Sequence, residues 1–160
     1  MRKKLWLALL CAILLLGMFS ATALAETVDS GTCGENLTWT LDDQGVLTIS
    51  GEGEMDDYRF DGRPWGYSFN DQIASIVIDD GVRNIGGCAF TDFTKLKKVS
   101  LGKGVTSIEI GAFYGCNSLD SCIIPGNVKE IGWGAFRECK SLKSVKFTGN
   151  APMSIGEKNF

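Results

Sequence analysis

Between Ile76 and Ser144 one unit of 23 residues is written three times. Ile76–Lys98 reads IVIDDGVRNIGGCAFTDFTKLKK, Val99–Ser121 reads VSLGKGVTSIEIGAFYGCNSLDS, and Cys122–Ser144 reads CIIPGNVKEIGWGAFRECKSLKS; Val145 opens a fourth copy. The apolar positions step by this period without a gap. Val82, Val105 and Val128 form one column, and Ile85, Ile108 and Ile131 the next. Ala89, Ala112 and Ala135 stand beside Phe90, Phe113 and Phe136, and Leu96, Leu119 and Leu142 close the unit. A unit this short cannot bury its apolar face alone. The copies must stack, each covering the next, so the chain is constrained to a repeat solenoid.

Within a unit three pieces are legible. Ile76–Ile78, Val99–Leu101, Cys122–Ile124 and Val145–Phe147 read as equivalent strands, with first and third residues pointing inward by the two-residue alternation. Turns follow at Asp79–Gly81, Gly102–Gly104 and Pro125–Asn127. A second short strand is predicted over Arg83–Ile85, Thr106–Ile108 and Lys129–Ile131, and a helical turn around each Ala-Phe pair, as over Gly111–Cys116. Consecutive strands then lie parallel in a ladder, which makes the fold mostly β.

Ahead of the repeats the chain changes character. Arg2, Lys3 and Lys4 precede an apolar run from Leu5 to Phe19, and Ala23-Leu24-Ala25 has the small-x-small form of a cleavage site. Residues 1–25 therefore read as a signal peptide, and the chain as exported. Residues 26–63 form an N-terminal segment. Its start, 26–36, is polar and glycine-containing and is expected to be disordered. Leu37–Leu41 and Val46–Ser50, joined by Asp42-Asp43-Gln44-Gly45, predict a β-hairpin that covers the first rung of the solenoid. The solenoid is assigned to residues 64–160. Pro64 suits the first position of a short helix, with Trp65 and Phe69 on one face. Trp39 and Trp65 are expected to pack the cap onto the first rung.

The chemistry available to this chain is narrow. It contains no histidine, which removes Ser-His-Asp and Cys-His catalysis and histidine-bound zinc. After removal of Arg2, Lys3 and Lys4 with the signal peptide, 13 basic residues face 19 acidic ones, a net charge of −6. That balance disfavours nucleic acid and anionic lipid as partners, and no further stretch has the length of a membrane span. Cys33, Cys88, Cys116, Cys122 and Cys139 are odd in number and lack paired spacing, so reduced, buried thiols are expected rather than a disulfide framework. Cys116 and Cys139 share a repeat position that Phe93 fills in the first unit, which marks it as apolar packing. The acidic pairs Asp42-Asp43, Asp56-Asp57 and Asp79-Asp80 read as turn residues rather than calcium ligands or a glycosidase pair. No catalytic residue, cofactor or metal site is assigned, and the chain is read as non-enzymatic.

The pattern Val-x-x-Ile, Ala-Phe-x-x-Cys, x-Ser-Leu in Gly104–Leu119 and Asn127–Leu142 resembles the BspA-like leucine-rich repeats of bacterial surface proteins. The hairpin Leu37–Ser50, Gly51-Glu52-Gly53 and Pro64-Trp65 resemble the segment that often precedes such repeats. The resemblance covers most of residues 35–160. It implies a leucine-rich-repeat solenoid, secreted or displayed at the cell surface, that binds another macromolecule, in the first place a protein, or mediates adhesion. A structural spacer of a larger envelope protein and a carbohydrate-binding module using Trp133 are the alternatives.

For a binding surface the sequence offers the outward side of the strand ladder: Ser75, Val77, Lys98, Ser100, Ser121, Ile123, Ser144 and Lys146. Of these, Val77, Lys98, Ser100, Ile123 and Lys146 are the candidate binding residues. The fourth unit is incomplete. Ile155-Gly156 and Phe160 repeat the spacing of Ile131-Gly132 and Phe136 with one residue inserted, and no capping unit follows in the sequence. Either the chain is a piece of a longer array, or its open end supports end-to-end self-association.

Overall fold

The computed structural model describes residues 25–58, 62–150 and 152–160. The expected signal peptide, apart from Ala25, lies outside them. Eleven strands follow one another: β1 Thr27–Gly34, β2 Leu37–Asp42, β3 Val46–Gly51, β4 Ser75–Ile78, β5 Asn84–Ile85, β6 Lys98–Ser100, β7 Ser107–Ile108, β8 Ser121–Ile124, β9 Glu130–Ile131, β10 Ser144–Phe147 and β11 Ser154–Ile155. The longer repeat strands β4, β6, β8 and β10 stack on one side of the solenoid. The two-residue strands β5, β7, β9 and β11 form a second parallel ladder, with Ile85, Ile108, Ile131 and Ile155 in register. The predicted period thus becomes the coil. No helix occurs among the described residues.

One apolar core runs the length of the molecule. The Val, Ile, Ala-Phe and Leu columns are buried with the exception of Leu142, which is half-buried on the last coil. The aromatic rings build a continuous stack. Phe90 lies 5.4 Å from Phe113, Phe113 lies 5.3 Å from Phe136, and Phe136 lies 6.2 Å from Phe160. Phe93, Cys116 and Cys139 are all buried, as their shared position predicts.

Around the Ala-Phe pair the backbone departs from the expected helical turn. Ala112, Tyr114 and Cys116 donate to the carbonyls three residues back, of Glu109, Gly111 and Phe113. The N–H groups between them, on Gly111, Phe113 and Gly115, donate instead to Trp133, Ala135 and Arg137 of the next coil. A helix needs every N–H for its own turn. Here alternate donors are spent between coils, and the segment becomes a run of β-turns.

The N-terminal cap also differs from expectation. Residues 27–34 are ordered as β1, antiparallel to β2. This edge strand exposes both faces except at Cys33, so it carries no alternation for a sequence reading to detect. The hairpin forms as predicted, with Thr40 opposite Thr48. Asp42 accepts from the N–H groups of Gln44 and Val46 and holds the turn. β3 then pairs in parallel with β4, so the cap joins the solenoid sheet. Pro64 starts no helix. Gly66 adopts φ +61° and the chain to Gln72 is held by isolated turn bonds, which swing Trp65 into the core.

In the first coil the carbonyls of Gly87, Ala89 and Thr91 have no preceding repeat to receive them from. They accept from the Tyr58 N–H, the Trp65 indole Nε1 and the Arg63 guanidinium. At the other end, the Phe136 N–H finds the side-chain Oδ1 of buried Asn159 at 3.2 Å, and the Asn159 amide donates to Gly132 and Gly156. The sequence predicts an uncapped last coil. Its polar groups are partly capped by this asparagine, while Phe160 stays 76% exposed.

Candidate binding surface

The outward side of the strand ladder is built by alternation. With Ile76, Ile78, Val99, Cys122 and Ile124 buried, the residues between them must face solvent. Thr48, Val77 and Ser100 stand in register across β3, β4 and β6, and Ser75 is opposite Lys98. Ile123 is opposite Lys146 and Ser121 opposite Ser144 across β8 and β10. The five candidates Val77, Lys98, Ser100, Ile123 and Lys146 therefore share one face. Val77 is half-buried, the others are exposed, and Ile123 is 55% exposed.

The face extends beyond the repeats because the hairpin belongs to the same sheet. Thr38 and Thr40 on β2 pair with Ser50 and Thr48 on β3 and prolong it with hydroxyl groups. Sequence reasoning, which took the hairpin as a lid, missed these residues. Their alternation with Leu37, Trp39 and Leu41 was the signal available.

The ladder is interrupted between β6 and β8. Strands β1, β2, β3, β4 and β6 form one sheet, and β8 with β10 another. Pro125 accounts for part of the break. At the equivalent place Thr148 donates its N–H to Ile124 at 3.0 Å, and Asp79 donates to Ile49 at 3.0 Å. Pro125 has no N–H to give the Leu101 carbonyl. A groove of about 340 Å³ opens at the break, lined by Lys98, Val99, Ser100, Leu101, Lys103, Ile123, Pro125 and Thr148. Its floor is apolar, its two charged residues are lysines, and no carboxylate lines it. Three of the candidates, Lys98, Ser100 and Ile123, border this groove. Leu101, Lys103 and Thr148 were not anticipated, because the break that exposes them is a property of the stacking.

The other groups singled out in the sequence serve structure. Asp57 accepts from the Gly87 N–H at 2.6 Å and Asp80 from the Lys103 N–H at 2.8 Å, so these two carboxylates, expected to hold their own turns as Asp42 does, instead tie neighbouring layers of the solenoid together. The five cysteines among the described residues are unpaired. The Cys116 and Cys139 thiols point at the carbonyls of Phe90 and Phe113 in the preceding coil. Burial pushes the Cys116 thiol above its ordinary range. Burial, with Asp56 nearby, pushes the Cys33 thiol up to about 12. Trp39 and Trp65 meet edge to face at 6.1 Å beneath the hairpin, as expected of cap residues.

A family model described as BspA type leucine rich repeat region matches residues 66–160 in six copies. Among solved structures, a leucine-rich repeat protein from Bacteroides capillosus ATCC 29799 is similar at a TM-score of 0.53 and 19% identity, over 75% of this chain and 99% of that one. A leucine-rich repeat protein from Eubacterium ventriosum ATCC 27560 is 24% identical at a TM-score of 0.49, over 75% of this chain and 44% of that one. A leucine rich cell surface protein from Faecalibacterium prausnitzii A2-165 is 18% identical at a TM-score of 0.48, over 74% and 39% of the two chains. The match thus takes in less than half the length of the Eubacterium and Faecalibacterium proteins. The Bacteroides structure shares the fold. Comparison with curated proteins gives no match.

Proposed function

The chain belongs to the BspA-type leucine-rich repeat family, and we propose that it is a secreted or cell-surface, non-catalytic binding protein whose ligand is another protein, held on the outer face of the strand ladder. The observation that carries this reading is the convergence of Lys98, Ser100 and Ile123 on the groove between β6 and β8. An exposed isoleucine beside lysines and the hydroxyls of Ser100 and Thr148 suits a mixed apolar and polar contact, and offers no group to activate water or substrate. The export signal in residues 1–25 supports a location outside the cytoplasm. No helix of the described residues is long and apolar enough to cross a membrane.

Two measurements test the reading. N-terminal sequencing of the protein recovered from its producing cells should begin at Glu26, and protease added to intact cells should digest it. Immobilised protein, presented with an array of purified extracellular and surface proteins, should retain a partner that Ile123→Asp and Lys146→Glu release. Retention undiminished in both variants would place binding elsewhere.

A further inference from the structure

A second side of the solenoid presents large apolar side chains to solvent. Ile110 is 57% exposed and Trp133 is 41% exposed, and they occupy the same position in consecutive coils. Each precedes a glycine in the left-handed region, Gly111 at φ +63° and Gly134 at φ +60°. That conformation turns the chain so that the next residue, Ala112 or Ala135, enters the core while Ile110 and Trp133 are left outside. The Gly111 N–H donates to the Trp133 carbonyl at 3.1 Å and locks the two coils together there. Tyr114 and Arg137 form the neighbouring column. The Arg137 guanidinium lies 5.4 Å from the Trp133 ring and 6.0 Å from the Tyr114 ring, and the Lys158 ammonium lies 5.8 Å from the Trp133 ring.

Among the described residues, no acid pairs with Arg137 or Lys158 of this patch. The one ion pair among the described residues joins Lys140 to Glu138, at 4.0 Å. Glu109, the nearest acid on the Ile110 strand turn, is held by the Ser107 hydroxyl at 2.7 Å. Glu157 is exposed beside Lys158 and is in an ion pair with neither cation.

We infer that Ile110, Tyr114, Trp133, Arg137 and Lys158 form a docking surface for an extended polypeptide segment that carries carboxylate and apolar side chains on the same face. Three features point to this occupant. Trp, Tyr and Arg are the residues that dominate tight protein contacts. Two cations that no described acid pairs with, on a chain whose net charge is −3, give this side local complementarity to acidic groups. Ile110 and the uncovered part of Trp133 need an apolar partner, which a bare polyanion lacks. A segment in which a carboxylate follows an apolar residue by two positions supplies both, because residues i and i+2 of an extended strand line the same face. This surface is separate from the ladder groove and does not depend on it.

The test titrates the full chain with a synthetic peptide of repeating Leu-Ser-Glu-Ser, which sets Leu and Glu on one face of the extended chain, followed by calorimetry and tryptophan emission. Trp133→Ala and Arg137→Glu should each weaken binding by about tenfold or more, as loss of a central aromatic or arginine does. Both substitutions lie outside the core, so their melting curves should match that of the parent. Ile123→Asp, on the ladder groove, should bind the peptide like the parent. Equal affinity for the peptide with Gln in place of Glu, full affinity in Arg137→Glu, or equal loss in Ile123→Asp would overturn the assignment. So would heparin binding as tightly as the Glu-containing peptide, since that would make the surface a general polyanion site.

Discussion

The indole of Trp65 stacks on the ring of Phe90, with centroids 5.4 Å and planes 20° apart, and takes the place a preceding coil would give its own phenylalanine. Its Nε1 also donates to the Ala89 carbonyl at 3.0 Å. One side chain therefore extends the aromatic stack and satisfies an otherwise orphaned acceptor. Trp65→Phe should keep the stack and lose the donor, at about 1–3 kcal/mol for the buried carbonyl left unpaired. Trp65→Ala should cost about 3–5 kcal/mol. Urea titration of the parent and the two variants checks the order, and a Trp65→Phe midpoint equal to the parent's would show that the indole N–H contributes nothing.

Phe113 is fully buried, with Phe90 and Phe136 on its two sides. Phe113→Ala is expected to destabilise by about 3–5 kcal/mol. Thr106 is exposed and its hydroxyl bonds only the Arg83 carbonyl, so Thr106→Ala should cost under about 0.5 kcal/mol. Denaturant midpoints measured side by side separate the two.

Two left-handed positions recur in each coil. Cys88, Gly111, Gly134 and Lys158 form one set, and Asp92, Gly115 and Glu138 the other, with φ between +54° and +72°. A Cβ added at Gly134 would meet nothing closer than 3.5 Å, so the cost of Gly134→Ala is conformational, about 1–2 kcal/mol. Glu138→Gly should raise stability by about 1 kcal/mol for the same reason. The exposed contact it gives up, to Lys140, is worth little. Thermal melts of the pair should shift in opposite directions.

Burial holds the Cys33 and Cys122 thiols at about 12, against an ordinary value of 9.0. Above pH 9 the unfolded chain loses these protons while the folded chain keeps them. Stability from this source is whole below that value and declines as pH rises toward 12, by up to about 1.4 kcal/mol per unit for each thiol. Cys122→Ala should flatten the alkaline fall of the urea midpoint relative to the parent. An unchanged slope would show that the thiol ionises as readily folded as unfolded.

The last layer of the described coils contains half-buried Leu142, Val145 and Phe147 and the exposed ring of Phe160, and β10 pairs with β8 alone. We propose that a polypeptide of residues 26–160 self-associates through this layer. Sedimentation at several concentrations should show it, and Phe147→Lys should weaken it. A monomer at every concentration would indicate that Asn159 and Phe160 close the layer sufficiently.

What the sequence determined by itself is the coil. Val82, Ile85, Ala89, Phe90 and Leu96 recur with one period, and any structure burying all their copies must superpose them. The alternation in Leu37–Leu41 and Cys122–Ile124 likewise decided which side chains face outward, and so placed Val77, Lys98, Ser100, Ile123 and Lys146 together. The tertiary structure alone decided where the main-chain hydrogen bonds go. Whether the Phe113 N–H closes a helical turn or reaches Ala135 depends on a carbonyl 22 residues away, and residue type does not encode that choice. The same holds for β1, ordered by the open edge of β2, and for the gap beside Pro125, which matters only because another coil lies against it. Side-chain burial is written in a local pattern; main-chain partnership is settled by which segments come to lie side by side.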